Sequence, residues 1–171
     1  DTVLLLTDVA INQIGGGDVE FSSTVDSLSV ARSLAVQAAA DVIFQGAIGA
    51  LKPLDIVAVN HGGEARINGG TVVSVGDQEY LGRVELGGAA TLFADKLTLG
   101  STVDNGGHSL IVNIIGAGTA DGEILGGGGL TKAGGPGRSS SRVSIPSWEG
   151  RASAKARWNW RMLQTTTSIG R

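Results

Sequence analysis

The sequence predicts an all-β chain wound as a parallel β-helix (β-solenoid), and three observations carry that expectation. Apolar residues alternate with others over short stretches, as in Val84 and Leu86, Leu97 and Leu99, or Leu110, Val112 and Ile114. A period of two belongs to strands with one buried face. Glycine or Asn/Asp clusters punctuate these stretches at Gly15-Gly-Gly17, Asn60-His-Gly-Gly63, Asn68-Gly-Gly70, Gly87-Gly88 and Asp104-Asn-Gly-Gly107, and such residues suit the corners of a winding chain. Finally, segments recur in register.

The clearest recurrence is Asp18-Val-Glu-Phe21 against Asp41-Val-Ile-Phe44, which sets Leu28 against Leu51, Ala35 against Ala58 and Val36 against Val59. Ser23-Thr-Val-Asp26 reappears verbatim as Ser101-Thr-Val-Asp104. A looser pattern pairs a large apolar residue with a β-branched one four places on, at Phe21/Val25, Phe44/Ile48, Tyr80/Val84 and Leu99/Val103. The long step from Phe44 to Tyr80 is expected to hide one degenerate copy, which makes the unit roughly twenty residues. Seven coils about 4.8 Å apart would form a rod roughly 34 Å long. The rival for Leu28 to Leu51 is an Ala-rich amphipathic helix, disfavoured because Pro53 would fall inside the equivalent helix of the second copy.

Composition agrees with narrow coils. Of 171 residues 28 are glycine and only 4% are aromatic, and a slim interior has little room for large rings. Cysteine is absent, which excludes disulfide frameworks and Cys-ligated metal sites. With 42% apolar residues the chain can bury a core. Residues 1–137 carry 6 Lys/Arg and 15 Asp/Glu, a net of −9, whereas residues 138–171 carry 7 Lys/Arg and one acid, a net of +6. The expected organisation is therefore a repeat region, 1–137, and a basic tail, 138–171, that holds Trp148, Trp158 and Trp160. The chain starts at Asp1 within an apolar run, as expected of a section of something longer, and the apolar window Val30 to Leu51 carries Arg32 and Asp41, unlike a membrane span.

Motifs that imitate known chemistry fail on spacing. Gly116-Ala-Gly118 follows an apolar run as a dinucleotide-binding turn would, but Asp121 occupies the third glycine position and Gly126 to Gly129 would dissolve the helix that must follow. Gly126 to Lys132 echoes a phosphate loop without Gly directly before the lysine or Ser/Thr after it. His61 and His108 sit in glycine corners and are expected to be exposed. A hydrolytic trio of Asp104, His108 and Ser109 lacks the alignment such chemistry demands. No catalytic, cofactor-binding or metal-binding residues are therefore expected.

Val19-Glu-Phe-Ser-Ser-Thr-Val-Asp26 with Leu34-Ala-Val36, the run Asn68 to Gly82, and Ser101-Thr-Val-Asp104 resemble bacterial filamentous-haemagglutinin-like surface proteins. Ile124-Leu-Gly-Gly-Gly-Gly-Leu-Thr-Lys-Ala-Gly134 is similar to the opening of the autotransporter-associated β-strand repeat. Together they cover roughly residues 10–135. The resemblance implies a right-handed parallel β-helix, extracellular or at the bacterial cell surface, serving adhesion. It supplies no catalytic residues. Its implied partners are neighbouring repeats, an unidentified receptor and, through open coil ends, further copies, with no nucleic acid.

After Gly134 the repeat should continue as strand, and the basic tail intervenes instead. We read the tail as out of frame: shifted codons for Gly150 to Trp160 can spell G-T-S-V-S-E-G-T-L-E-L, close to the missing repeat, and such a tail should be loosely held. The alternative is an amphipathic helix with Trp148, Ala152, Ala156, Trp160 and Leu163 on one face, suited to an anionic membrane or nucleic acid. The functional expectation is a structural and adhesive module without catalysis. The alternative is a carbohydrate-active β-helix enzyme, which would need carboxylates stacked in a groove.

Overall fold

The computed structural model describes the backbone of residues 1–134, 141–144 and 158–159, and the side chains of residues 1–134. Among the described residues there is no helix. Coil 1 supplies β1 (Val3–Leu5), β2 (Val9–Gln13) and β3 (Val19–Phe21), and coil 2 supplies β4 (Val25–Ser27), β5 (Leu34–Ala38) and β6 (Val42–Phe44). Coil 3 has a single bridge at Ile48, then β7 (Val57–His61) and β8 (Glu64–Ile67). Coil 4 holds β9 (Thr71–Val73), β10 (Gln78–Tyr80) and β11 (Arg83–Leu86). Coil 5 holds β12 (Ala90–Ala94), β13 (Leu97–Leu99) and β14 (Val103–Asp104). Coil 6 holds β15 (Leu110–Ile114), β16 (Gly118–Ala120) and β17 (Ile124–Leu125), and β18 (Gly129–Ala133) opens the next. Two further strands, β19 (Ser141–Ser144) and β20 (Trp158–Asn159), pair antiparallel with β18 and β16. All other strand pairs are parallel, so the chain is a β-solenoid of about six coils.

The strands stack into three faces. The first strand of every coil lies on face 1, where Ile48 bridges Val25 to Val72, the second on face 2 and the third on face 3. Alternation then decides what is buried: β5 buries Leu34, Val36 and Ala38 and turns Ala35 and Gln37 outward. Inward side chains from successive coils meet directly. Val36, Val59, Tyr80 and Leu99 form a column on face 2, and Val72, Leu92 and Val112 form one on face 1. On face 3 the rings of Phe21 and Phe44 stack with centroids 5.3 Å apart, above Ile67.

Two of the buried polar side chains, Gln78 and Asp26, are tied to backbone. Gln78, at an inward position of coil 4, donates to the carbonyls of Val72 (3.1 Å) and Phe93 (2.7 Å) and accepts from the Tyr80 hydroxyl (3.3 Å). Complete burial pushes the Tyr80 phenol above its ordinary range, so it stays a neutral donor. Asp26 accepts from the amides of Leu51 (2.9 Å) and Lys52 (3.1 Å), pinning the long corner of coil 3.

Several expectations change in detail. Coil length is not constant: Val25 pairs with Val3 and Ile48 pairs with Val72, steps of 22 and 24 residues, whereas Leu92 pairs with Val72 and Val112, steps of 20. The longer early coils explain why there are about six coils and not seven. The verbatim Ser-Thr-Val-Asp repeat does not mark equivalent positions, because Val25 lies on face 1 and Val103 on face 3. Likewise Phe44 faces Ile67 on face 3 while Tyr80 faces Val59 on face 2, so the 36-residue step hides the coil-3 equivalent Ile67 and, beyond it, a change of face. An inward apolar residue looks the same in sequence whichever face it serves. The helix alternative for residues 28–51 is replaced by β5 and β6. Ala35 and Val36 do pair with Ala58 and Val59, but Leu28 and Leu51 lie in corners, 51% and 84% exposed. For the tail, the two short strands are described; the frame-shift reading and the helix alternative otherwise lie outside the described residues.

Close stacking also selects glycine at corners. A Cβ on Gly69 would collide with the backbone of Gly46 and Ala47 in the coil before, while one on Gly88 would meet nothing within 4 Å. In urea unfolding, Gly69→Ala should cost more than about 2 kcal/mol, whereas Gly88→Ala should be neutral or stabilising by up to about 1 kcal/mol. Phe44→Ala should cost about 3–5 kcal/mol through lost burial and the cavity left behind. Leu51→Ala, at an exposed corner, should stay within about 0.5 kcal/mol. Equal costs for Phe44→Ala and Leu51→Ala would contradict the inward register.

Candidate functional site

Since side chains fill the interior, any chemistry must reside on the outer faces. Face 3 concentrates charge. β8 turns Glu64 and Arg66 outward, β11 turns Arg83 and Glu85 outward, and pairing sets Arg83 against Glu64 and Arg66 against Glu85. Arg66 reaches the carboxylates of Asp41 (3.3 Å), Glu64 (3.5 Å) and Glu85 (3.7 Å), and Arg83 reaches Glu64 (3.0 Å) and Asp104 (3.1 Å). Both arginines are 44% exposed, so each pair is worth at most about 1 kcal/mol.

Within this ladder the carboxyls of Glu64 and Glu85 shift one another's proton affinity in opposite directions. The hydrogen bond to Glu64, with desolvation and the charge of Glu64, raises the Glu85 carboxyl above the usual range. The hydrogen bond from Glu85, with the charges of Arg83 and Arg66, lowers that of Glu64 against desolvation. Carboxylates whose affinities for protons are driven apart are the raw material of acid–base chemistry. Here, however, arginines engage both, on an open face.

The groove lies elsewhere. Across face 2 of coils 1–4 a depression of about 320 Å³ is floored by Ala10, Ala35 and Ala58, which stack in register. Beside them Asn12, Gln37 and Asn60 form a second column, with Glu79 below Ala58 and Leu81 closing the end. None of these three amides hydrogen-bonds another described residue. On face 3, by contrast, Gln45 donates to Glu20 (3.0 Å) and Asn68 donates to Gln45 (2.9 Å), a self-satisfied ladder.

The residues weighed from sequence fall as follows. Asp104 is committed to Arg83 and to the Gly106 amide (3.0 Å), so it does not orient the exposed His108, and the imagined trio with Ser109 is not assembled. Gly116 caps β15 as a corner before β16, and Lys132 donates to the Gly134 carbonyl (3.0 Å), with no nucleotide cradle at either place. Among the described residues no group of three His, Asp or Glu could hold a metal ion, and no helix could cross a membrane.

His61 corrects the expectation of an exposed turn. It ends β7, paired with Ala38 of the coil before, and its ring lies against Gly82 of the coil after, where a Cβ would collide with it. Both ring nitrogens are buried without a partner. Desolvation holds its pKa below 6.5, outweighing the Gly63 backbone and the charges of Asp41 and Glu64.

The groove was hidden in the sequence because its first step is 25 residues, Asn12 to Gln37, while the next is 23. The charge ladder was hidden for the same reason, since Arg66 meets Glu85 across a step of 19.

A lowered folded-state pKa means that the unfolded chain takes up the His61 proton first as pH falls. Stability should thus be complete above the unfolded value near 6.5 and decline as pH falls through it, levelling once the folded histidine also titrates. Thermal melts between about pH 8 and pH 5.5 should show this slope, and His61→Phe, which keeps a ring against Gly82, should flatten it. An unchanged slope in the variant would assign it to other groups.

Comparison of the chain with protein-family models, with curated proteins and with solved structures finds no match.

Proposed function

We propose that this chain is a structural and adhesive section of an exported bacterial surface protein, of the autotransporter or filamentous-haemagglutinin-like kind, without catalysis of its own. The observation that carries the reading is the stacking of parallel strands on three faces around one filled core. Such an arrangement spends its large side chains on length and leaves outward positions free to vary. The segments similar to surface-protein repeats, Val19 to Asp26 and Ile124 to Gly134, fall within these coils. At coil 1 the inward residues Val9, Ile11, Val19 and Phe21 are only partly buried. That surface accepts a further coil, from neighbouring repeats or from a second copy.

A carbohydrate-active enzyme is the second reading, and the opposed shifts of the Glu64 and Glu85 carboxyls are what favour it. Against it, Arg66 and Arg83 engage both carboxylates, and the groove lies on a different face.

Antibodies raised against residues 1–134 should label intact cells that make the protein, and external protease should remove the label. Labelling confined to lysed cells would overturn the surface reading.

A further inference from the structure

The groove across face 2 combines an apolar floor with a line of amides unbonded to one another. Its floor of Ala10, Ala35 and Ala58 gives a shallow apolar bed along the rod axis. In coils 5 and 6 the same column carries Thr98 and Thr119, so the alanine bed is confined to the early coils. The amides of Asn12, Gln37 and Asn60 stand in one line beside it, roughly 10 Å from end to end at the spacing of neighbouring strands. Stacked amides at that spacing can bond one another, as Gln45 and Asn68 do on face 3. These three do not, so each presents its donor and its acceptor outward.

We infer that this groove binds a linear, neutral oligosaccharide lying along the rod axis, held by Asn12, Gln37, Asn60 and the carboxylate of Glu79. An amide offers an N–H donor and a carbonyl acceptor side by side, which matches neighbouring hydroxyls, and a carboxylate accepts from two more. The alanine bed leaves room for the C–H face of the sugar rings. With Glu79 as the single charged group of the lining, anionic chains are repelled and nucleic acid is not accommodated. An extended peptide fits less well. The backbone of a sheet face is already spent in its ladder, and a flat alanine floor offers no pockets for anchoring side chains. Without an aromatic platform in an open groove, affinity belongs in the millimolar range.

This inference deepens the adhesive reading and takes its setting from it, by naming a class of ligand. It is tested on the full 171-residue chain, ¹⁵N-labelled, by following side-chain amide resonances during titration with cellohexaose, chitohexaose and maltohexaose. At least one sugar should shift the Asn12, Gln37 and Asn60 amides saturably by about 10 mM. Gln37→Ala, which removes one amide, and Ala35→Leu, which fills the bed, should each weaken binding about tenfold. Both positions point outward, so melting temperature should not change. No shift with any of the three sugars, shifts that both variants leave intact, or equal shifts with an uncharged hexapeptide would overturn the inference. Loss of sugar binding would leave the surface reading standing. Failure of cell-surface labelling would leave the groove standing.

Discussion

The hydrogen-bonded ladder between coils sets equivalent side chains about 4.8 Å apart, and the rest of the structure answers to that spacing. Inward, every coil must deliver a side chain that fits directly onto the one before it. Val36 on Val59 on Tyr80 on Leu99 satisfies this with apolar and aromatic side chains of different size. At corners the same spacing forbids bulk, as at Gly69 above Gly46. Where a polar group is forced inward, as Gln78 is in the first of the shorter coils, it is retained by bonding to the carbonyls of two neighbouring strands.

Outward, the constraint becomes an opportunity, because residues far apart in sequence are lined up at fixed distance. Face 3 uses this for a ladder of opposite charges in which two arginines bridge four acids. Face 2 uses it differently, leaving three amides in line and unbonded to one another. One face thus consumes its polar groups internally, and the other keeps them available to the surroundings.

Much of the architecture was legible. Alternation at Leu110 to Ile114 and the parallel of Asp18 to Phe21 with Asp41 to Phe44 both reflect real strands in real register. What escaped was the identity of the face and the length of each coil. Val25 and Val103 sit in the same tetrapeptide and serve different faces, since burial asks only that the residue be apolar. Coils of unequal length then displaced the outward columns of faces 2 and 3 from one fixed period, so neither Asn12 with Gln37 nor Arg66 with Glu85 could be paired by counting. His61 was misjudged because a glycine beside a corner reads as exposure, whereas Gly82 is small there to make room for the imidazole.

Each coil touches chiefly the one before and the one after, and that has a mechanical corollary. Tension applied along the axis loads the ladders in sequence and peels them from an end, instead of shearing the whole stack at once. A freed coil of 20 residues pays out about 70 Å of extended chain, many times the height it occupied when wound. A tether built this way lengthens in discrete increments under drag while its remaining turns keep their shape.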